Sequence, residues 1–158
     1  VLGGVKALKH LDSDLVPFVQ PAIEYFQEKG FEAEHLERIV VHEDEAYAGT
    51  ADVIGKTPGG QDFILDWKST KKCPSKPYPQ QPEQISAYAV AHFGLDRVMN
   101  GEIWGANVYI STTETDKKTG MAKIKACSYN PEQVAEHYKV FCLVNNLFRC
   151  RTKYDPRP

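Results

Sequence analysis

Long hydrophobic runs are missing from this chain. None reaches eighteen apolar residues, which excludes a membrane-spanning helix. Paired cysteines are missing too, because Cys73, Cys127, Cys142 and Cys150 contain no Cys-x-x-Cys pair. That spacing argues against a zinc site, and all four read as reduced thiols of an intracellular, cytoplasmic protein. The third absence is an excess of positive charge. With 19 Lys and Arg against 21 Asp and Glu, the formal net charge is −2. Such a balance excludes a protein that coats nucleic acid over its whole surface, but not one with a local basic groove. No internal repeat, low-complexity linker or leader segment is recognisable. For 158 residues of 42% hydrophobic content, the expectation is a single domain over 1–158 with a proper core.

What is present centres on the stretch from Tyr47 to Lys72. It reads as two β-strands, roughly Tyr47–Lys56 and Asp62–Thr70, rich in Val, Ile, Phe, Trp and Thr. Pro58, Gly59 and Gly60 supply a three-residue turn, which pairs Thr57 with Gln61. That register sets Asp52 directly opposite Asp66, with Cβ atoms about 4.5–5.5 Å apart. Alternation then brings Lys68 to the same face, while Ala51, Val53, Phe63, Leu65 and Trp67 form a core face.

Two carboxylates this close repel each other, and one pKa rises unless a cation intervenes. A hard divalent metal would resolve the repulsion, since Mg²⁺ is typically held by one or two carboxylates plus substrate phosphates. Lys68 would then orient or activate an attacking water. The competing reading is an ordinary surface hairpin with Asp66 and Lys68 as a solvated ion pair. The hairpin by itself leaves both open.

The next helix adds a third motif. Gly49-Thr50-Ala51-Asp52, then Ile64-Leu65-Asp66-Trp67-Lys68, then Gln84-Ile85-Ser86-Ala87-Tyr88 follow one another in order. Together they resemble the PD-(D/E)XK nuclease superfamily in its RecB-like branch. The resemblance is greatest to the mitochondrial genome maintenance exonucleases and their phage and bacterial relatives, and it runs from about Glu34 to Asn145. It implies an α/β fold, a mixed central β-sheet flanked by helices, and a single nuclease domain. It implies a deoxyribonuclease that needs Mg²⁺ or Mn²⁺, working from single-stranded DNA ends in DNA processing, repair or recombination. Asp52, Asp66 and the Trp67 main-chain carbonyl would hold the metal. Lys68 would be catalytic, Glu37 a further acidic site residue, and Gln84, Tyr88, Lys71 and Lys72 would contact the strand. A non-catalytic DNA-binding module of the same fold and an endonuclease are the rival readings. Some RecB-like nucleases carry an iron–sulfur cluster, but Cys73 lies after the Asp-x-Lys motif, so none is expected. The family also has a helix with Gly-Thr-x-x-His ahead of the core, for which His10 is the sole, imperfect candidate.

The rest of the chain reads as scaffold. Leu15, Val19, Ala22, Ile23 and Phe26 form a helical stripe that Pro21 should kink or begin. Leu36 to Val41 makes a first strand. Cys73 to Pro82, with four prolines, is an extended loop whose Lys76 and Tyr78 either touch DNA or merely connect. A helix spans Glu83–Gly94, and strands follow at Ile103–Thr113 and Met121–Tyr129. Asn130-Pro131 opens a last helix, with Val134, Tyr138, Phe141, Asn145 and Phe148 as a stripe packed on the sheet. Arg149, Arg151 and Lys153 form a basic tail.

Overall fold

The computed structural model describes residues 11–158, and His10 lies outside them. Helix α1 spans Val16–Glu28, and three strands follow: β1, Glu32–His42; β2, Tyr47–Lys56; and β3, Asp62–Thr70. Helices α2, Gln80–Phe93, and α3, Leu95–Met99, lead to β4, Trp104–Thr115, and β5, Ala122–Tyr129. Helix α4, Pro131–Thr152, comes last. The strands form a five-stranded sheet in the order β1-β2-β3-β4-β5. Only β3 and β4 run parallel; the other neighbours are antiparallel. A parallel pair needs a crossover between its strands, and α2 supplies it. This is the expected α/β class, a mixed central sheet flanked by helices, consistent with a PD-(D/E)XK-like core.

The sheet is covered on both faces. Phe26 of α1 packs with Val53, Phe63, Leu65, Ala106 and Val108 on one side. On the other, Ile85, Ala89 and Val90 of α2 and Val134 and Tyr138 of α4 pack on Val40, Ala51, Ile54 and Ile64. The face that carries Asp66 and Lys68 is therefore no solvated surface, because Ile64 shares it beneath α2. Ala51 also departs from the expected core face. The alternation breaks at Asp52, sending Ala51 to the α2 side while Val53 stays with α1.

Helix boundaries differ from expectation for local reasons. Helix α1 runs unbroken through Pro21, so that proline neither begins nor ends it. The burial of Ala22, Ile23 and Phe26 outweighs one lost backbone hydrogen bond. Helix α2 starts at Gln80, before Pro82, which is harmless because first-turn N–H groups have no intrahelical partner. A hydrogen bond of 2.5 Å from the Tyr109 hydroxyl to Gln81 Oε1 ties that first turn to β4. Asn130 caps α4 in a reciprocal capping box with Gln133.

The apolar stripe of α4 packs only as far as Phe141. Beyond it Leu143, Val144, Leu147 and Phe148 face solvent, with Phe148 58% exposed, so Phe148 is no part of the core. Arg149 is likewise no free cation of a basic tail. It is buried, 2.9 Å from Glu45 Oε2 and 3.1 Å from Asn146 Oδ1. Among the described residues, no helix is long and apolar enough to cross a membrane.

Candidate active site

The hairpin has the register its sequence implies. Thr57 N–H donates to Gln61 O at 2.9 Å, and Gly60 closes the turn with φ +77°. A three-residue loop ending in a left-handed residue needs glycine there. The β2–β3 ladder runs from Lys56–Asp62 up to Val53–Leu65 and then stops. Past that point β2 pairs only with β1, and β3 pairs only with β4. The two strands fork, and Asp52 and Asp66 sit at the fork.

Asp52 fills part of the gap. Its Oδ2 accepts the Trp67 N–H at 2.7 Å, replacing a backbone carbonyl of β2. The N–H and C=O of a strand residue point to the same neighbour, so the Trp67 carbonyl also faces the fork. The Trp67 ring lies on the opposite face, edge-on to Tyr25 with centroids 6.3 Å apart.

Asp66 is the exceptional group. It is only 4% exposed, and burial pushes its carboxyl pKa up. The Asp52 charge adds to that rise, while Lys68 and the Asn107 amide across the ladder oppose it. Lys68 Nζ lies 2.7 Å from Asp66 Oδ2, an ion pair by distance. The approach is not aligned for a hydrogen bond, and Oδ2 is left buried with no directed donor. Asn107 Nδ2 is buried and unsatisfied as well, although its Oδ1 accepts from the Tyr129 hydroxyl at 2.8 Å. Orphaned buried polar atoms are rare and costly in native proteins. A buried carboxylate oxygen met by one lysine ammonium, a second carboxylate and a carbonyl facing one fork are hard oxygen donors that fit Mg²⁺ or Mn²⁺.

From Lys68 a directional chain of hydrogen bonds leads outward. Lys68 Nζ donates to Gln84 Oε1 at 3.0 Å, and Gln84 Nε2 donates to the Tyr88 hydroxyl at 2.8 Å. An ammonium can only donate, so Gln84 must turn its oxygen to Lys68 and its NH₂ to Tyr88. Tyr88 is thereby made an acceptor, and its own proton is free to donate beyond the chain. Residues 84 and 88 share a helix face one turn apart, which is what their spacing requires.

Gly49 lets this happen. A Cβ there would lie 2.4 Å from the Tyr88 ring and 2.6 Å from its hydroxyl. Gly49→Ala is expected to displace the ring and destabilise the fold by about 1–3 kcal/mol. Chemical denaturation would check this, and unchanged stability would show that Tyr88 does not need its seat on β2.

Other expected site residues lie differently. Glu37 lies between Leu36 and Arg38, whose partners in β2 are Val53 and Ala51, and is itself unpaired in that ladder, exposed, and at φ +50°. Left-handed backbone costs a non-glycine residue about 1–2 kcal/mol. Among the described residues no three His, Cys, Asp or Glu side chains form a metal-holding group, so Glu37 does not complete a cluster with Asp52 and Asp66. Lys71 and Lys72 are exposed just past β3. The Lys71 carbonyl is held by Ser111 and Thr113, and no hydrogen bond or ion pair among the described residues joins either ammonium to the fork. Tyr78 is half exposed ahead of α2.

Sequence reading missed Asn107 and the aromatic wall beside Tyr88. A lone amide within Trp104-Gly105-Ala106-Asn107-Val108-Tyr109-Ile110 was the available signal, because a buried strand rarely spends a position on a polar group. Tyr47 offered no comparable sign. Its hydroxyl donates to the Ala87 carbonyl at 3.0 Å, and burial, helped by nearby Tyr138, raises its pKa.

No protein-family model matches the chain, and no curated protein matches it. Among solved structures it is similar to SSO0001, with 14% identity and a TM-score of 0.41. That match covers 83% of this chain and 58% of the other, so the chain spans less than two thirds of SSO0001. It is also similar to LHK-Exo in complex with dAMP, with 13% identity and a TM-score of 0.41, over 89% of this chain and 71% of the other. Overlaps this low speak neither for nor against the role of any residue.

Proposed function

We propose that this chain is a deoxyribonuclease domain that hydrolyses phosphodiester bonds with Mg²⁺ or Mn²⁺ and prefers single-stranded ends. The observation that carries the reading is Asp66, a buried carboxylate 2.7 Å from the Lys68 ammonium at a fork shared with Asp52. A purely structural residue at this place would be apolar, as Ile64 is two positions earlier. Asp52, Asp66 and the Trp67 carbonyl would hold the metal ion, which when bound supplies an acidified water and neutralises phosphate charge.

The remaining work falls to the chain's own side chains. Lys68 orients the attacking water or offsets the charge that develops on the phosphate. Gln84 fixes where the Lys68 ammonium points. Tyr88 offers its free O–H to an acceptor on the strand. Glu37, Lys71 and Lys72 are assigned supporting roles, the first from the strand beside Asp52 and the lysines as exposed cations just past β3. A preference for single strands agrees with a net charge of −2, which gives a rigid duplex little positive surface.

Linear and covalently closed single strands of one sequence test the proposal, each in Mg²⁺, Mn²⁺ and excess EDTA. Loss of the line beside an intact circle, stopped by EDTA, is the expected result. Equal cutting of both would make the protein an endonuclease. Tight binding without cleavage under every condition would make it a binding module.

A further inference from the structure

A cavity of about 340 Å³ opens beside the outer end of the hydrogen-bond chain, lined by Gln84 and Tyr88 and walled by Tyr47, Phe141 and Val144. Tyr47 and Phe141 meet edge to face with ring centroids 4.9 Å apart, so the wall is rigid. Val144 is half exposed on α4, at the place where the helix leaves the sheet. The volume lies near the lower end of ligand pockets, about 300–1,000 Å³, which suits one planar ring rather than a length of strand.

Among the described residues, Glu83 is the only charged one lining this cavity. A carboxylate there repels a phosphate, so the backbone of a bound strand must pass outside, on the Lys68 side. An aromatic wall with one carboxylate at its edge, beside the neutral amides of Gln80 and Gln84, instead matches a nucleobase that carries an exocyclic amino group. Cytosine and adenine present such donors on the major-groove edge, where thymine presents an acceptor and a methyl group and keeps its single N–H for the pairing edge.

We infer that this cavity is a base-binding subsite. It holds one unpaired base of the strand next to the scissile phosphate, and Glu83 favours an amino-bearing base over thymine. The inference rests on the nuclease reading of the adjoining fork. Gln84 and Tyr88 belong to both, so one helix face couples the seated base to the Lys68 ammonium. A duplex cannot offer an unpaired base to the cavity, which gives the preference for single strands a structural cause.

The test reads binding, not cleavage. Dissociation constants are measured in EDTA for fluorescein-labelled six-nucleotide single strands of dC or dT, with one abasic residue moved through every position. Stacking of one base on aromatic side chains corresponds to about 5- to 150-fold in affinity. One position should therefore show an abasic penalty in that range. At that same position dC should bind about tenfold more tightly than dT, through a donor to a charged acceptor. Val144→Trp fills the cavity from an exposed position and should erase the penalty with an unchanged melting temperature. Glu83→Gln should keep the penalty and lose the dC preference.

Equal penalties at all positions, a penalty that survives Val144→Trp, or no binding of any strand would overturn the subsite. Intact position-dependent binding with no cleavage in Mg²⁺ or Mn²⁺ would overturn only the nuclease reading.

Discussion

Asp66→Asn abolishes cleavage of a linear single strand and leaves the melting temperature at pH 7 unchanged or a few degrees higher. Loss of activity combined with no loss of stability is the expected mark of a residue retained for chemistry. The asparagine fills the same volume but removes a buried charge whose Oδ2 has no directed donor. Burial raises the Asp66 pKa above its unfolded value. The folded chain therefore binds more protons than the unfolded chain between the two values. Asp66 favours the fold below its unfolded pKa, and that contribution is lost as pH rises through the folded pKa. Asp66→Asn should flatten this part of the stability–pH profile. A divalent cation at 100 times its dissociation constant should add about 2.7 kcal/mol to the wild type and little to the variant. DNA binding should persist, because the strand contacts come from other residues. Marked destabilisation of Asp66→Asn with cleavage intact would reverse the assignment.

Lys68→Ala lowers the cleavage rate by about two to four orders of magnitude, the range of a lost proton-transfer or charge-stabilising group. Unlike Asp66→Asn, it should also weaken the fold. A surface Asp–Lys pair is worth about 0–1 kcal/mol, and its loss would pass unnoticed. Here the lysine side chain is 24% exposed and its partner carboxylate 6%, so truncation strands a buried charge. The expected cost at pH 7 is about 1–3 kcal/mol, less than for a fully buried pair because Asp66 can take up a proton. Acidification should shrink the deficit. Adding Asp66→Asn to Lys68→Ala should recover the stability but not the activity. Denaturant titrations of the four proteins with parallel rate measurements give both numbers. A fully active Lys68→Ala protein would make Lys68 structural.

The hairpin was legible in the sequence because its information is local. Pro58-Gly59-Gly60 fixes the loop length, loop length fixes the register, and the register holds from Lys56–Asp62 to Val53–Leu65, one step short of Asp52 and Asp66. The class of fold followed from the order of apolar periods. The fork was not legible, because it depends on how far β2 pairs with β3 before each turns to its other neighbour. The flip of Ala51 is similarly non-local, since the β1–β2 ladder skips Asp52 at the step where Glu37 turns left-handed in the other strand. Periodicity placed Phe148 on an apolar stripe but could not show that the sheet ends before it. Charge alone placed Arg149 in a basic tail, whereas Glu45, far away in sequence, pairs with it in a buried position. Gln84 and Tyr88 were found through their motif. The Lys68–Gln84 hydrogen bond that gives them direction required the crossover helix to be laid on β3.

All of this turns on a divalent cation at the fork, and anomalous scattering from crystals soaked in Mn²⁺ with a short single strand tests it most directly. A peak is expected within about 2.0–2.6 Å of oxygens from both Asp52 and Asp66, absent from Asp66→Asn crystals grown alike. An empty fork in crystals of protein that still cleaves the strand in Mn²⁺ would contradict it.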